Sequence, residues 1–186
     1  MKHTLLATAL ISLSTVIHAA GFQLTSPDIQ AGGRIDKRFE FNGFGCSGEN
    51  KSPALQWSGA PAGTRSFAVT VYDPDAPTGS GWWHWSVINL PADVTALKPD
   101  AGAAGGANLP QGASQVRIDY GAAAWGGMCP PQGDKPHRYV FTVHALKVDK
   151  LEVPADATAA LAGYMINANT LGKASFTATY GRPKAK

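Results

Sequence analysis

Short runs of alternating, β-branched or aromatic residues recur along the chain and are separated by breaks rich in Gly, Pro, Asp and Asn. Arg38-Phe39-Glu40-Phe41 alternates polar and apolar. Residues 66–72 (Ser-Phe-Ala-Val-Thr-Val-Tyr), 82–90, 138–146 and 175–180 carry the β-branched and aromatic content of strands. The breaks at 59–63, 74–81 and 102–112 read as turns and loops. One helix is predicted late in the chain: Pro154, Asp156 and Thr158 mark its start, and Gly172 its end. Leu161, Tyr164, Met165, Ala168 and Leu171 between them fall at three- and four-residue steps, the spacing of a buried stripe. The pattern predicts a mainly β protein of one domain, with one to three short helices packed on sheet.

The first residues belong to a different class of segment. Lys2 precedes an uncharged, mostly apolar run over residues 4–17, and His18, Ala19 and Ala20 follow. A short positive region, an apolar stretch and small residues make a signal peptide. The stretch falls below the roughly 20 apolar residues of a membrane span. Residues 1–19 are therefore expected to be a cleaved signal peptide, residues 20–186 the single mature domain, and its location periplasmic or secreted, with no transmembrane anchor. The formal charge of +3 is mild and the basic residues are scattered, which excludes a nucleic-acid partner as the expected reading. The two cysteines, Cys46 and Cys129, read as one disulfide in an oxidising compartment, the alternative being two buried thiols. Neither has a second Cys or a His at ligand spacing, so no metal site is expected.

Two segments are chemically dense. In the first, a strand ends at Tyr72 and runs into Asp73-Pro74-Asp75-Ala76-Pro77, stiffened by its prolines. The chain returns through Gly79 and Gly81 into Trp82-Trp83-His84-Trp85. Alternation places Trp82, His84, Ser86 and Ile88 on one face and Trp83, Trp85 and Val87 on the other. In the second segment, Cys129-Pro130-Pro131-Gln132-Gly133 forms a rigid corner before His137-Arg138-Tyr139. His137 and Tyr139 share a face with Phe141 and Val143; His144 points the other way and reads as structural. Imidazoles and a phenol can donate hydrogen bonds to an oxyanion, and an Asp can orient one imidazole and favour its charged form. No nucleophile in an elbow such as Gly-x-Ser-x-Gly stands beside these histidines.

These segments resemble the signature regions of the phosphatidylethanolamine-binding protein family, also called the Raf kinase inhibitor protein family. The marks are Asp73-Pro74-Asp75-Ala76-Pro77 and Gly133-Asp134-Lys135-Pro136-His137-Arg138-Tyr139. Residues 78–85 and Phe41-Asn42-Gly43-Phe44-Gly45-Cys46 are similar to its bacterial YbhB/YbcL branch. The resemblance implies a large central β-sheet flanked by a smaller sheet and one to three short helices. It also implies a pocket for phosphate- or carboxylate-bearing ligands, phospholipid head groups included. Its walls would be Asp73, His84, Pro130, Pro131, His137 and Tyr139, with Asp75 near the rim. A Cys46–Cys129 bridge would brace the Pro130–Pro131 wall. Eukaryotic members carry a C-terminal helix and bind kinases; that role is not carried over to this chain.

The expected function is binding of small anions without a cofactor and without catalysis. The alternative is a protein-interaction module, such as an enzyme inhibitor, using the stiff Pro-rich loops and the cluster Trp82, Trp83 and Trp85. A homodimer is compatible with the sequence but is not encoded by any motif.

Overall fold

The computed structural model describes residues 21–184. The expected signal peptide lies outside the described residues. In chain order the strands are β1 (Gln23–Thr25), β2 (Asn42–Gly43), β3 (Cys46–Ser47), β4 (Leu55–Ser58), β5 (Ser66–Asp73) and β6 (Trp82–Pro91). Then come β7 (Ala96–Leu97), β8 (Ser114–Gln115), β9 (His137–Leu146), the helix α1 (Ala159–Asn169) and β10 (Thr170–Tyr180). Antiparallel pairing builds a five-stranded sheet in the order β10-β9-β5-β6-β8. A smaller sheet, β1-β4-β7, and the hairpin β2-β3 complete the pairing.

The main core lies between the two sheets, where Leu24, Leu55, Trp57 and Leu97 of the small sheet meet Phe67, Val69, Phe141 and Val143 of the large one. On the other face of the large sheet, Ala162 and Ile166 of α1 pack with Ala68, Ile88 and Leu146. Burial on both faces explains why β5 reads as a nearly continuous apolar run, with every residue but Tyr72 buried. The mainly β fold with one α-helix is as the sequence pattern predicts, and the large central sheet with a smaller flanking sheet is as the family resemblance implies.

Three expectations are corrected. The helix forms, capped by the Thr158 hydroxyl accepting from the Leu161 amide (3.2 Å), but it buries the opposite stripe. Its buried residues are Ala159, Ala162, Gly163 and Ile166, while Leu161, Tyr164 and Leu171 are exposed. Gly163 lies over the Trp83 ring, which a Cβ there would meet at 3.7 Å, an ordinary packing distance. The helix also stops at Asn169, before Gly172, which lies in β10 against Pro61. Residues 38–41 are not a strand. Lys37–Phe39 is a single 3-10 turn, started by the Asp36 carboxylate accepting from the Arg38 amide (2.8 Å).

Candidate functional site

The end of the large sheet where β5 stops, β6 begins and β9 begins carries a cavity of about 200 Å³. Its wall includes Asp73, Trp82, His84, Tyr120, Pro130, Pro131, His137 and Tyr139, with Phe44 at the mouth. Six of the seven sequence-predicted site residues thus converge. Asp75 is the exception. Its carboxylate turns away to Arg138, accepting from Nε (2.9 Å), the second guanidinium nitrogen (2.8 Å) and the backbone amide (2.9 Å). Those bonds, the side-chain one foremost, hold the Asp75 carboxyl far below the usual carboxylate range. Asp75 therefore holds Arg138, the second residue of β9, through both its backbone and its side chain.

His84 reaches the cavity through a β-bulge. Across β5 and β6, Tyr72 pairs with Trp83 and Val71 with Trp85, so His84 is an extra residue with no partner. An extra residue re-aims the side chains around it. Trp82 and His84 face the cavity, and the alternation then slips by one. Trp85 and Val87 enter the main core and Ile88 the helix side, the reverse of the simple alternation read from the sequence beyond His84. The three tryptophans consequently do not form one surface. Trp85 is buried edge-on against Trp125 (5.7 Å between ring centroids), Trp83 packs on Tyr72 (4.6 Å), and Trp82 lines the cavity.

The polar groups are held from behind. Asp73 Oδ2 accepts from His137 Nδ1 at 2.8 Å, both side chains being almost fully buried. The other Asp73 oxygen accepts from the Asp75 amide (2.8 Å). This fixes the His137 ring with its Nδ1 satisfied and its Nε2 turned toward Asp134, 3.7 Å away and beyond hydrogen-bond reach. His84 Nδ1 donates to the carbonyl oxygen of Gly126 (2.7 Å), with that of Gly127 at 3.1 Å. That bond assigns the proton of a neutral ring to Nδ1 and leaves Nε2 as its open polar atom. Burial pushes the His84 imidazolium below its ordinary value, opposed by the Gly126 carbonyl and the Asp73 charge.

Two further wall donors, Tyr139 O–H and Trp82 Nε1–H, are buried with no hydrogen-bond partner within ordinary geometry, Asp73 being the acceptor near Tyr139; Trp57, Ser86 and Trp125, away from the cavity wall, have unpaired polar atoms too. Burial, with the Asp73 charge behind it, raises the Tyr139 phenol far above its ordinary value, so it stays protonated. A buried unpaired donor costs about 1–3 kcal/mol, a reason to look for what it serves. Tyr120 is different, since its hydroxyl donates to Gly127 O (2.9 Å).

The wall opposite the histidines is braced by covalent and ionic links. Cys46 of β3 is bonded to Cys129, Cα to Cα 6.0 Å, next to Pro130. The Arg182 guanidinium donates to Gly45 O (2.6 Å) and Pro130 O (3.2 Å), and its Nε lies 3.7 Å from the buried Glu40 carboxylate. Among the described residues no cluster of three or more His, Cys, Asp or Glu side chains is arranged to hold a metal ion.

Sequence reasoning did not find Phe44, Tyr120 or Trp82 as wall residues. Trp82 was within reach, two positions from His84 on the same face. Phe44, an aromatic residue between Gly43 and Gly45, was a visible anomaly. Tyr120 sits in a loop with no pattern to mark it.

Residues 25–181 match the model of the family described as phosphatidylethanolamine-binding protein. The chain belongs to this family. The UPF0098 protein YbcL of Escherichia coli is 54% identical over 97% of this chain and 98% of its own. YbhB of the same organism is 47% identical over 85% of this chain and 99% of its own. The crystal structure of E. coli YbcL superposes with a TM-score of 0.85 at 57% identity, covering 87% of this chain and 99% of that one. A phosphatidylethanolamine-binding protein homologue from Chlamydia trachomatis, CT736, reaches 0.72 at 30% identity. Among the described residues no helix is long and apolar enough to cross a membrane.

Proposed function

We propose that this family member binds small phosphate- or carboxylate-bearing ligands in the cavity bounded by His84, His137 and Tyr139, and does so in the periplasm or outside the cell after signal-peptide cleavage. The observation that carries this reading is the set of partnerless polar groups converging on one small cavity. Tyr139 O–H and Trp82 Nε1–H are buried donors with no hydrogen-bond partner within ordinary geometry. His137 is pre-oriented by Asp73, so a protonated ring would place a charge-assisted donor there. His84, whose proton affinity is lowered by burial, gains it back when an anion sits beside it. Affinity should therefore rise as pH falls through and below the ordinary histidine value near 6.5.

Binding rather than turnover is the reading the side chains favour. Cys129 is held in the disulfide, and the Thr78 hydroxyl, the one aliphatic hydroxyl in the wall, donates to Gly81 O (2.5 Å). The protein-interaction alternative loses its best support, because the tryptophans proposed as its surface point in three directions.

The test is an NMR titration of the mature, disulfide-intact protein with inorganic phosphate and O-phosphoethanolamine, following the histidine ring signals. Two histidines should shift in the wild type and the response should vanish in His137→Ala. No shift at millimolar ligand would overturn the proposal.

A further inference from the structure

The cavity reaches further than its donors do. From His84 an aromatic row runs outward: His84 meets Tyr120 edge-on (5.7 Å), and Tyr120 stacks on Phe41 (4.1 Å, 20°) and lies nearly parallel to Phe44 (5.8 Å, 19°). Phe44 ends the row at the mouth, 75% exposed. It stands in the two-residue turn of the β2-β3 hairpin, with φ of +51°, followed by Gly45 at +77°. A bulky side chain is out of place at such a φ, where Asn or Gly is favoured. Phe44 thus serves neither the turn nor the core. Yet its hairpin is anchored twice, by the disulfide to Cys129 and by Arg182 to Gly45 O. The fold spends a covalent bond to hold a solvent-exposed ring beside the cavity.

Resting on the anion-pocket reading above, we infer that the pocket selects organic anions bearing an aryl group and that Phe44 is the specificity-determining residue: the anionic end meets His84, His137 and Tyr139, and the ring lies on Phe44 and against Pro130. A cavity of about 200 Å³ has room for more than a phosphate group, and its outer wall (Phe44, Pro77, Pro130, Pro131) offers a bare anion nothing. Offset-stacked aromatic pairs contribute beyond the area they bury.

The probes are inorganic phosphate, ethyl phosphate and phenyl phosphate, titrated by NMR into wild type and Phe44→Asn. Asn suits the positive φ, so the variant should fold with an unchanged or higher Tm. In wild type, phenyl phosphate should bind about tenfold more tightly than inorganic phosphate, equivalent to about 1.4 kcal/mol, with ethyl phosphate between them. In Phe44→Asn that preference, read as the ratio of the phenyl phosphate and inorganic phosphate affinities, should shrink at least fivefold. Equal binding of the three probes by wild type, or an aryl preference that survives in Phe44→Asn, overturns the inference and leaves the anion pocket standing. Failure of all three probes to bind wild type overturns the anion pocket itself, and this inference with it.

Discussion

Asp73 and His137 are 64 residues apart in sequence, and their side chains are 2.8 Å apart in the fold. The hydrogen bond joins the last residue of β5 to the first of β9 and points a buried imidazole at the cavity. Asp73→Asn keeps the shape and removes the charge. Hydrogen bonds to charged groups are worth about 1.5–3 kcal/mol, so phosphate affinity near pH 6 should fall at least tenfold, measured by calorimetry. A gain in affinity would mean that the Asp73 charge repels the ligand more than it prepares His137.

Acid should loosen the protein before its carboxylates titrate. His144 is buried beside Thr70 and Thr170, and burial, helped by Lys173, lowers it to about 4. A folded-state value below the unfolded one means that the unfolded chain takes up the proton first. The stability contributed by neutral His144 is present above about pH 6.5 and is lost as pH falls toward 4. The loss is on the order of 3 kcal/mol at full extent. His84 adds to it with the same sign. Urea titrations at pH 7.5 and 4.5 should show His144→Gln losing much of this dependence, and millimolar phosphate offsetting the His84 share alone. A wild type equally stable at both values would refute this.

Gly127 should tolerate no side chain. A Cβ there would collide with the Phe39 carbonyl oxygen and come within 2.5 Å of the Phe41 amide nitrogen, both backbone and unable to yield. The same residue's carbonyl accepts from Tyr120 and faces His84 Nδ1. Gly127→Ala should cost more than about 2 kcal/mol and broaden the His84 ring signal; a Tm within a degree of wild type would contradict the packing described.

What could be read in the sequence follows from where the backbone is regular. β9 pairs with β10 from His137 to Ala145 and with β5 from Val140 onward with no register shift in between, so simple alternation correctly grouped His137 and Tyr139 and set His144 apart. β6 carries an extra residue, which no period of two can anticipate, so the faces beyond His84 were inverted. The helix misled for another reason: the face it buries is made of Ala159, Ala162, Gly163 and Ile166, mostly small residues that a search for large apolar side chains passes over, while Leu161 and Tyr164 face out. The resemblance puts Asp75 near the rim; its bond to Arg138, 63 residues away in sequence, is a pairing that no local pattern shows.

The disulfide can be tested apart from the ligand. Its residues are separated by 83 positions, for which the chain-entropy model gives about 4 kcal/mol. A Cys46→Ala/Cys129→Ala variant should lose stability on that scale in denaturant titrations and bind phenyl phosphate more weakly, since both Phe44 and Pro130 are tied down by this bond. A loss below about 1 kcal/mol would mean that Arg182 and the hairpin pairing already hold the wall.

Arg182 is the last part of that wall in the sequence, 137 residues after the Gly45 carbonyl it grips. The hairpin and the proline corner can be linked by sulfur earlier, but they are clamped to each other and to Glu40 only when the final strand has been laid down. The brace behind the cavity is therefore a contact between distant parts of the sequence, and it needs β10 seated beside β9 before Arg182 can reach it.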